Sequence, residues 1–330
     1  MQGTAIDVHS HIYPPAFVHY LRARQQPPFV RHVDGTARFM LFPGDRGVPL
    51  TEDFTSAEAK VAFMDAHGIG HSIVSLGNPW LDLDPGPLSI DVARRCTDEI
   101  VELTAAHPGR LSAMGVLPNA DVPAAVRQVE RMAEDGHVVG LVSGTTICGE
   151  PLTAPELDPL WDAIAAARLP VLVHPQSGLA AEATRGHGQA LTLSLAFPFE
   201  TTVALARLVL AGVLDRRPEL RIIAAHGGGT FPYLMGRVAR AVQVDATASA
   251  EVTVPAGLYV DSIVFSPAAL TLATSALGAD RVVFGTDHPF PIADAAGGLA
   301  DLATVAPPGS DLYERVAHRN AVELFGLPRA

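Results

Sequence analysis

The chain has 330 residues, 48% hydrophobic and 18% charged, with a formal net charge of −12. That apolar content supports a sizeable buried core and excludes global disorder. The excess of 35 acidic over 23 basic side chains argues against nucleic acid and anionic membrane surfaces as partners.

The first strand is predicted at residues 4–9. Residues 13–56 break the pattern with Pro14-Pro15, Pro27-Pro28, Pro43-Gly44 and Pro49, and are expected to form an insertion. A helix at 57–67 and a strand at 70–76 follow. The alternation continues through helix 89–106, strand 110–117, helix 121–135, strand 137–143, helix 156–168 and strand 170–174. A loop of roughly 25 residues comes next, long enough to be a lid. Helix 200–213, strand 220–225, helix 231–243, strand 257–262, helix 267–277 and strand 281–286 complete the series. A terminal helix at 311–325 closes the chain. Strands alternating with helices call for a parallel sheet with helices outside. Eight such repeats predict an α/β fold of the (β/α)8 barrel type, one domain spanning 1–330. No G-x-G-x-x-G follows the first strand, which argues against the competing doubly wound sheet.

Two distant cysteines, Cys96 and Cys148, give no disulfide framework and fit a reducing cytoplasm. The N-terminus shows no signal-peptide pattern, and no run of 18 apolar residues predicts a membrane span.

A barrel does its chemistry at the C-terminal ends of its strands. Those ends carry His9-Ser10-His11, His174, His226-Gly227-Gly228-Gly229 and Asp287-His288, while the second strand delivers Asn78-Pro79-Trp80. The two imidazoles of an H-x-H pair project to one side of a strand. Alone that pair is a weak signal. Histidines and an aspartate at four separate strand ends are a stronger one, because neutral imidazoles and a carboxylate suit a catalytic divalent ion better than an apolar core does. Lys60, the only lysine, is expected on the helix before the second strand, well away from that face. This excludes a carboxylated-lysine bridge between two ions, predicts a single ion, and excludes a Schiff base. No G-x-S-x-G is present. His226, beside three glycines, is expected to act next to the ion as acid, base or electrophile. Spacing leaves Arg46, Arg237, Asn78 and Trp80 open between site contacts and ordinary surface or turn residues.

Four segments carry a resemblance to the decarboxylase branch of the amidohydrolase superfamily: Ile6 to His11 with Pro14-Pro15, Phe197-Pro198-Phe199-Glu200-Thr201-Thr202, His226 through Pro232 to Gly236-Arg237, and Phe284 to Phe290. Within it, His11 to Pro15, Leu76 to Trp80 and Asp287 to Phe290 resemble the iso-orotate decarboxylases. The resemblance implies one divalent ion, Zn²⁺ first and Mn²⁺ second, held by His9, His11, His174 and Asp287. It implies substrate contacts at Arg46, Asn78 and Phe290, and a homodimer in which Arg237 reaches the neighbouring site; Trp80 and His288, at the ends of their strands, are further candidates for substrate contact. The substrate it implies is a ring carboxylic acid, 5-carboxyuracil or a salicylate-type acid. Asp287 would then protonate the ring carbon while His226 steadies developing charge. Hydrolysis of a lactone or amide at the same ion is the alternative, since one scaffold hosts many reactions.

Overall fold

The computed structural model describes residues 4–41, 46–78, 81, 86–176, 178–179, 182–184, 186–245 and 252–328. The chain begins with β1 (Ala5–Ile12), buried along its whole length, and α1 (Pro15–Ala23). An antiparallel sheet of β2 (Phe29–Val33), β3 (Thr36–Met40) and β4 (Val48–Pro49) follows, then the single turn α2 (Glu52–Thr55). Among its described residues the expected insertion thus holds a helix, a three-stranded sheet and a single helical turn.

The repeating part runs α3 (Ala57–His67), β5 (Ile69–Leu76), α4 (Pro87–Ala105), β6 (Leu111–Val116), α5 (Val122–Asp135) and β7 (Val138–Ser143). After a small ladder of β8 (Thr146–Ile147) and β9 (Glu150–Pro151) come α6 (Asp158–Ala167), β10 (Val171–Val173), α7 (Phe197–Leu210) and β11 (Ile222–Ala224). The short α8 (Ala225–Gly228) is kinked at His226 and Gly227 and leads into α9 (Phe231–Val244), β12 (Leu258–Asp261), α10 (Pro267–Leu277) and β13 (Val282–Val283). The chain ends in α11 (Ala295–Val305), α12 (Asp311–Glu314) and α13 (Asn320–Phe325).

Eight strands form one parallel sheet in the order β1-β5-β6-β7-β10-β11-β12-β13. The barrel closes between its first and last members through Val8 N to Phe284 O at 3.0 Å, Asp287 N to His9 O at 2.8 Å and His11 N to His288 O at 2.8 Å. This is a (β/α)8 barrel, as the alternation predicts. Helix ends follow local chemistry. Ser56 caps Ala59 N, Asp121 caps Ala124 N and Ser266 caps Ala269 N, while Gly68 and Gly136 end their helices in the left-handed region.

Three expectations need correction. The last strand is only two ladder residues long, because Phe284 N turns to Val316 O and the segment to Asp287 bonds back to β1 instead. Helix α11 lies where no element is expected: Gly297-Gly298 lowers its propensity, but the Asp294 cap and packing of Ala295 and Leu302 into the core prevail. Part of the expected loop after β10 is helical, since Thr192–Ala196 forms a π-turn that runs into α7. The joined helix Thr192–Leu210 is long and apolar enough to span a membrane, yet here it is one of the barrel's outer helices, with Leu205, Leu208 and Val209 in the core.

Candidate metal centre

The centre lies where β1, β10, β11 and the segment after β13 end. His9 and His11 come from β1, His174 directly follows β10, His226 directly follows the first residue of α8, and Asp287 ends the last strand's turn. Single ligand atoms of His9, His174, His226 and Asp287 lie within 4.8 Å of one another. His11 joins them, its Nε2 3.0 Å from His9 Nε2 and 3.2 Å from Asp287 Oδ1. His9 Nε2 lies 3.6 Å from that same oxygen, and His226 Nε2 lies 3.6 Å from Asp287 Oδ2.

The tautomers follow from the outer partners of each ring. His11 Nδ1 faces the Leu76 carbonyl at 3.2 Å, which can only accept, so Nδ1 carries the hydrogen and Nε2 a lone pair. His9 Nδ1 lies 2.6 Å from Asp261 Oδ2. Burial pushes the Asp261 carboxyl up, but the hydrogen bond and charge of His9 outweigh this and hold it below the ordinary range, so it accepts. His174 Nδ1 faces the Pro175 carbonyl at 2.8 Å. In their neutral forms His9 and His11 aim two Nε2 lone pairs at each other across 3.0 Å beside a carboxylate oxygen; burial lowers His9, but the hydrogen bond and charge of Asp261 and the charges of Asp287 and Asp7 outweigh this and hold it above the ordinary imidazole value. Only a proton or a cation between them relieves that arrangement.

Charge in the cluster is consistent with a cation site. Burial drives His11 down to about 4 and His174 well below the imidazole range, which favours the neutral, ligating form. Burial alone would raise Asp287, but the His11, His226 and His9 rings hold it well below the carboxylate range. Asp287 Oδ1 and His226 Nδ1 are buried without a hydrogen bond. The donor set of imidazole nitrogens and one carboxylate fits a Zn²⁺-type or Mn²⁺-type ion. Both His226 and Asp287 hold left-handed backbone, at φ 57° and 63°. For non-glycine residues that conformation is uncommon and collects at functional sites.

A cavity of about 370 Å³ opens above the centre. His174, His226 and Asp287 reach its lining. Phe39, Leu41 and Val48 of the inserted sheet and Val264, Phe265 and Phe290 on the barrel side make most of it apolar. Asn78 also lines it, with Nδ2 donating to the Gln176 carbonyl at 2.9 Å. Two carbonyl partners, Gln176 O and Pro175 O, fix the amide so that its Oδ1 remains to accept from a ligand. The Phe290 ring meets His11 edge-on, with centroids 5.4 Å apart.

Not every expected contact reaches this cavity. His288 turns away: its ring stacks on Phe63 at 3.6 Å between centroids, and its Nδ1 meets Lys60 Nζ at 2.6 Å. Asp287, just before it, has left-handed backbone, and the ring of His288 faces α3 while Asp287 reaches the cavity. Lys60 is not remote from the strand ends, as its place on a helix implied, but fully buried directly behind them. Its Nζ is engaged by Ser10 and His288. Arg46 is exposed on the approach to β4, and Arg237 is exposed on α9; neither lines the cavity. Trp80 lies outside the described residues.

Two side chains that support the centre are given no role by sequence reasoning, although Glu200 lies in a segment that carries the family resemblance. Asp261 orients His9 and also accepts from His226 N at 2.9 Å, Gly227 N at 2.9 Å and Ile263 N at 3.0 Å. Its only trace in the sequence is an acid ending an apolar strand. Glu200 accepts from Gln176 N at 2.8 Å and from Gly178 N, clamping the segment after His174 to α7.

The family model described as Amidohydrolase matches residues 6–327. The chain belongs to the amidohydrolase family. Among relatives, it is 32% identical over 290 residues to the gamma-resorcylate decarboxylase of Rhizobium radiobacter, covering 82% of this chain and 87% of that one. The apo crystal structure of Metarhizium anisopliae IDCase is 31% identical, with a TM-score of 0.91 over 98% of this chain and 97% of that one. The dihydroxybenzoic acid decarboxylase of Polaromonas, solved with manganese and 2-nitroresorcinol, is 26% identical, with a TM-score of 0.78 over 100% of this amidohydrolase and 98% of that chain.

Proposed function

We propose that this amidohydrolase-family chain is a metal-dependent, non-oxidative decarboxylase of a ring carboxylic acid. One observation carries the reading. His9 and His11 Nε2 converge within 3.6 Å on Asp287 Oδ1, and Asp287 lines an apolar cavity together with His174 and His226. That pairs a cation site with walls suited to a planar ring. The named decarboxylases among its relatives point the same way.

His9, His11, His174 and Asp287 would hold one divalent ion, with His226 at its edge. Zn²⁺ suits the imidazole-rich set, and Mn²⁺ is the alternative that the Polaromonas structure supports. When bound, the ion supplies Lewis-acid polarisation of the substrate carboxylate and a neighbouring ring oxygen. Phe290 and Val264 would flank the ring and exclude water. Asn78 Oδ1 would accept from a ring N–H or phenol O–H. Asp287, charged at rest, would take up a proton from solvent water, leaving hydroxide to the bulk, and deliver it to the ring carbon bearing the carboxylate. The bond to the carboxylate carbon then breaks, CO₂ leaves, its bonding electrons return to the ring, and Asp287 is again a carboxylate. His226 would steady the developing charge on the ring oxygen.

The first substrate to test is 5-carboxyuracil, followed by salicylate-type acids. Arg46 would close over the cavity from the inserted sheet. Arg237 would serve a neighbouring copy. Its helix α9 and the adjoining α7 and α10 expose Tyr233, Phe199, Val203 and Leu272, an apolar face suited to a homodimer.

Incubation of metal-analysed protein with 5-carboxyuracil tests the reading. Uracil and CO₂ in equal amounts, lost with chelator and restored by Zn²⁺ or Mn²⁺, are the expected result. Uptake of one water by a lactone or amide, with no CO₂ from any ring acid, would assign hydrolysis instead.

A further inference from the structure

The only lysine in the chain sits where a charge is expensive to bury. Lys60 on α3 is fully buried, and its Nζ reaches Ser10 Oγ at 2.7 Å, His288 Nδ1 at 2.6 Å and His288 O at 3.1 Å. As an ammonium Lys60 has three hydrogens, and Ser10 Oγ, His288 O and an unprotonated His288 Nδ1 are three acceptors within reach of them. These partners straddle the barrel seam. Ser10 stands between His9 and His11, and His288 follows Asp287. Ser10 and His288 also form the isolated bridge that joins first strand to last.

On the other side of Asp287 stands a second clamp. Asp7 accepts from Thr286 N at 3.1 Å, from Thr286 Oγ1 at 2.7 Å and from His9 N at 3.1 Å. Asp287 is thereby held by the residue before it and the residue after it, while its own backbone keeps φ at 63°. A left-handed aspartate between two free neighbours would relax; between two anchored neighbours its carboxylate has one direction.

We propose that Lys60 is a positioning residue for the metal centre, a latch between Ser10 and His288 that aims Asp287 at the ion; this rests on the metal reading above. Apolar packing of an uncharged side chain in the same slot would hold the helix against the barrel equally well. It would not hold His288, because an apolar group offers neither His288 Nδ1 nor His288 O a hydrogen. The cost of burying the one lysine is explained if the seam beside Asp287 needs those hydrogens.

The test measures Mn²⁺ affinity by the free-ion EPR signal in metal-stripped wild type, Lys60→Met, Ser10→Ala and the double variant, with circular dichroism and Tm as folding controls. Wild type is expected to bind one Mn²⁺. Lys60→Met should bind about 10–100-fold more weakly. Ser10→Ala should fall between the two. The double variant should bind no more weakly than Lys60→Met, because both changes open the same latch. A folded Lys60→Met with wild-type affinity overturns the proposal and leaves the metal reading standing, even if its Tm falls. Additive losses in the double variant also overturn it. Should Lys60→Met not fold, an unchanged affinity in Ser10→Ala overturns it. No stoichiometric binding by the wild-type chain overturns the metal reading and this proposal together.

Discussion

Asp261 Oδ2 stands 2.6 Å from His9 Nδ1, and the same carboxylate accepts the backbone amides of His226, Gly227 and Ile263. One buried side chain on β12 thus sets the tautomer of a ligand on β1 and the turn that presents His226. Every partner it has is a donor. Asn in its place offers one acceptor and one donor, so one face must set N–H against N–H. Asp261→Asn is expected to weaken metal binding about 10–100-fold, with a smaller effect on Tm. Isothermal titration with Mn²⁺ or Zn²⁺ reads this directly, and unchanged affinity would remove Asp261 from the centre.

Glu200 makes a second prediction. It holds Gln176 N and Gly178 N, and Gln176 O in turn holds the Asn78 amide at the cavity wall. Glu200→Ala should release that chain of contacts without touching the ligands. Loss of about 1.4 kcal/mol of positioning corresponds to about a tenfold rise in KM. Metal content should stay at wild-type level, and a fall in metal content with unchanged KM would contradict the assignment.

Gly229 tests the turn that follows His226. Its φ is +64°, and a Cβ there would land on the Pro198 carbonyl oxygen and at 2.5 Å from Thr202 Oγ1. Neither backbone nor helix start can yield cheaply. Gly229→Ala should cost about 2–4 kcal/mol from the left-handed penalty and overpacking combined. Urea unfolding measures it, and a loss below 1 kcal/mol would mean that α7 moves aside.

The two thiols should differ in reactivity with pH. Burial raises Cys148 to about 11 and Cys96 further still. A raised value keeps the thiol protonated, so at pH 8 only about one part in a thousand of Cys148 is thiolate. Its alkylation by iodoacetamide should accelerate about tenfold per pH unit from 8 to 10, while Cys96 stays unlabelled until the protein unfolds. Rapid labelling of Cys148 at pH 8 would show that its thiol is not held in the apolar setting described.

The sequence by itself determined whatever depends on near neighbours. The strand-helix alternation, the His9-Ser10-His11 spacing and the glycines after His226 all act within a few residues, so periodicity and side-chain type reveal them. The tertiary structure alone decided what those residues face. His9 and Asp261 are 252 positions apart, and Lys60 and His288 are 228 apart. Only closure of the barrel brings each pair together, and no local pattern encodes such a distance. The same closure turned His288 from the cavity to the latch and buried Lys60, which a helix position had placed on the periphery. Ligand types are a property of the chain, but their direction, tautomer and charge come from partners that only the closed sheet supplies.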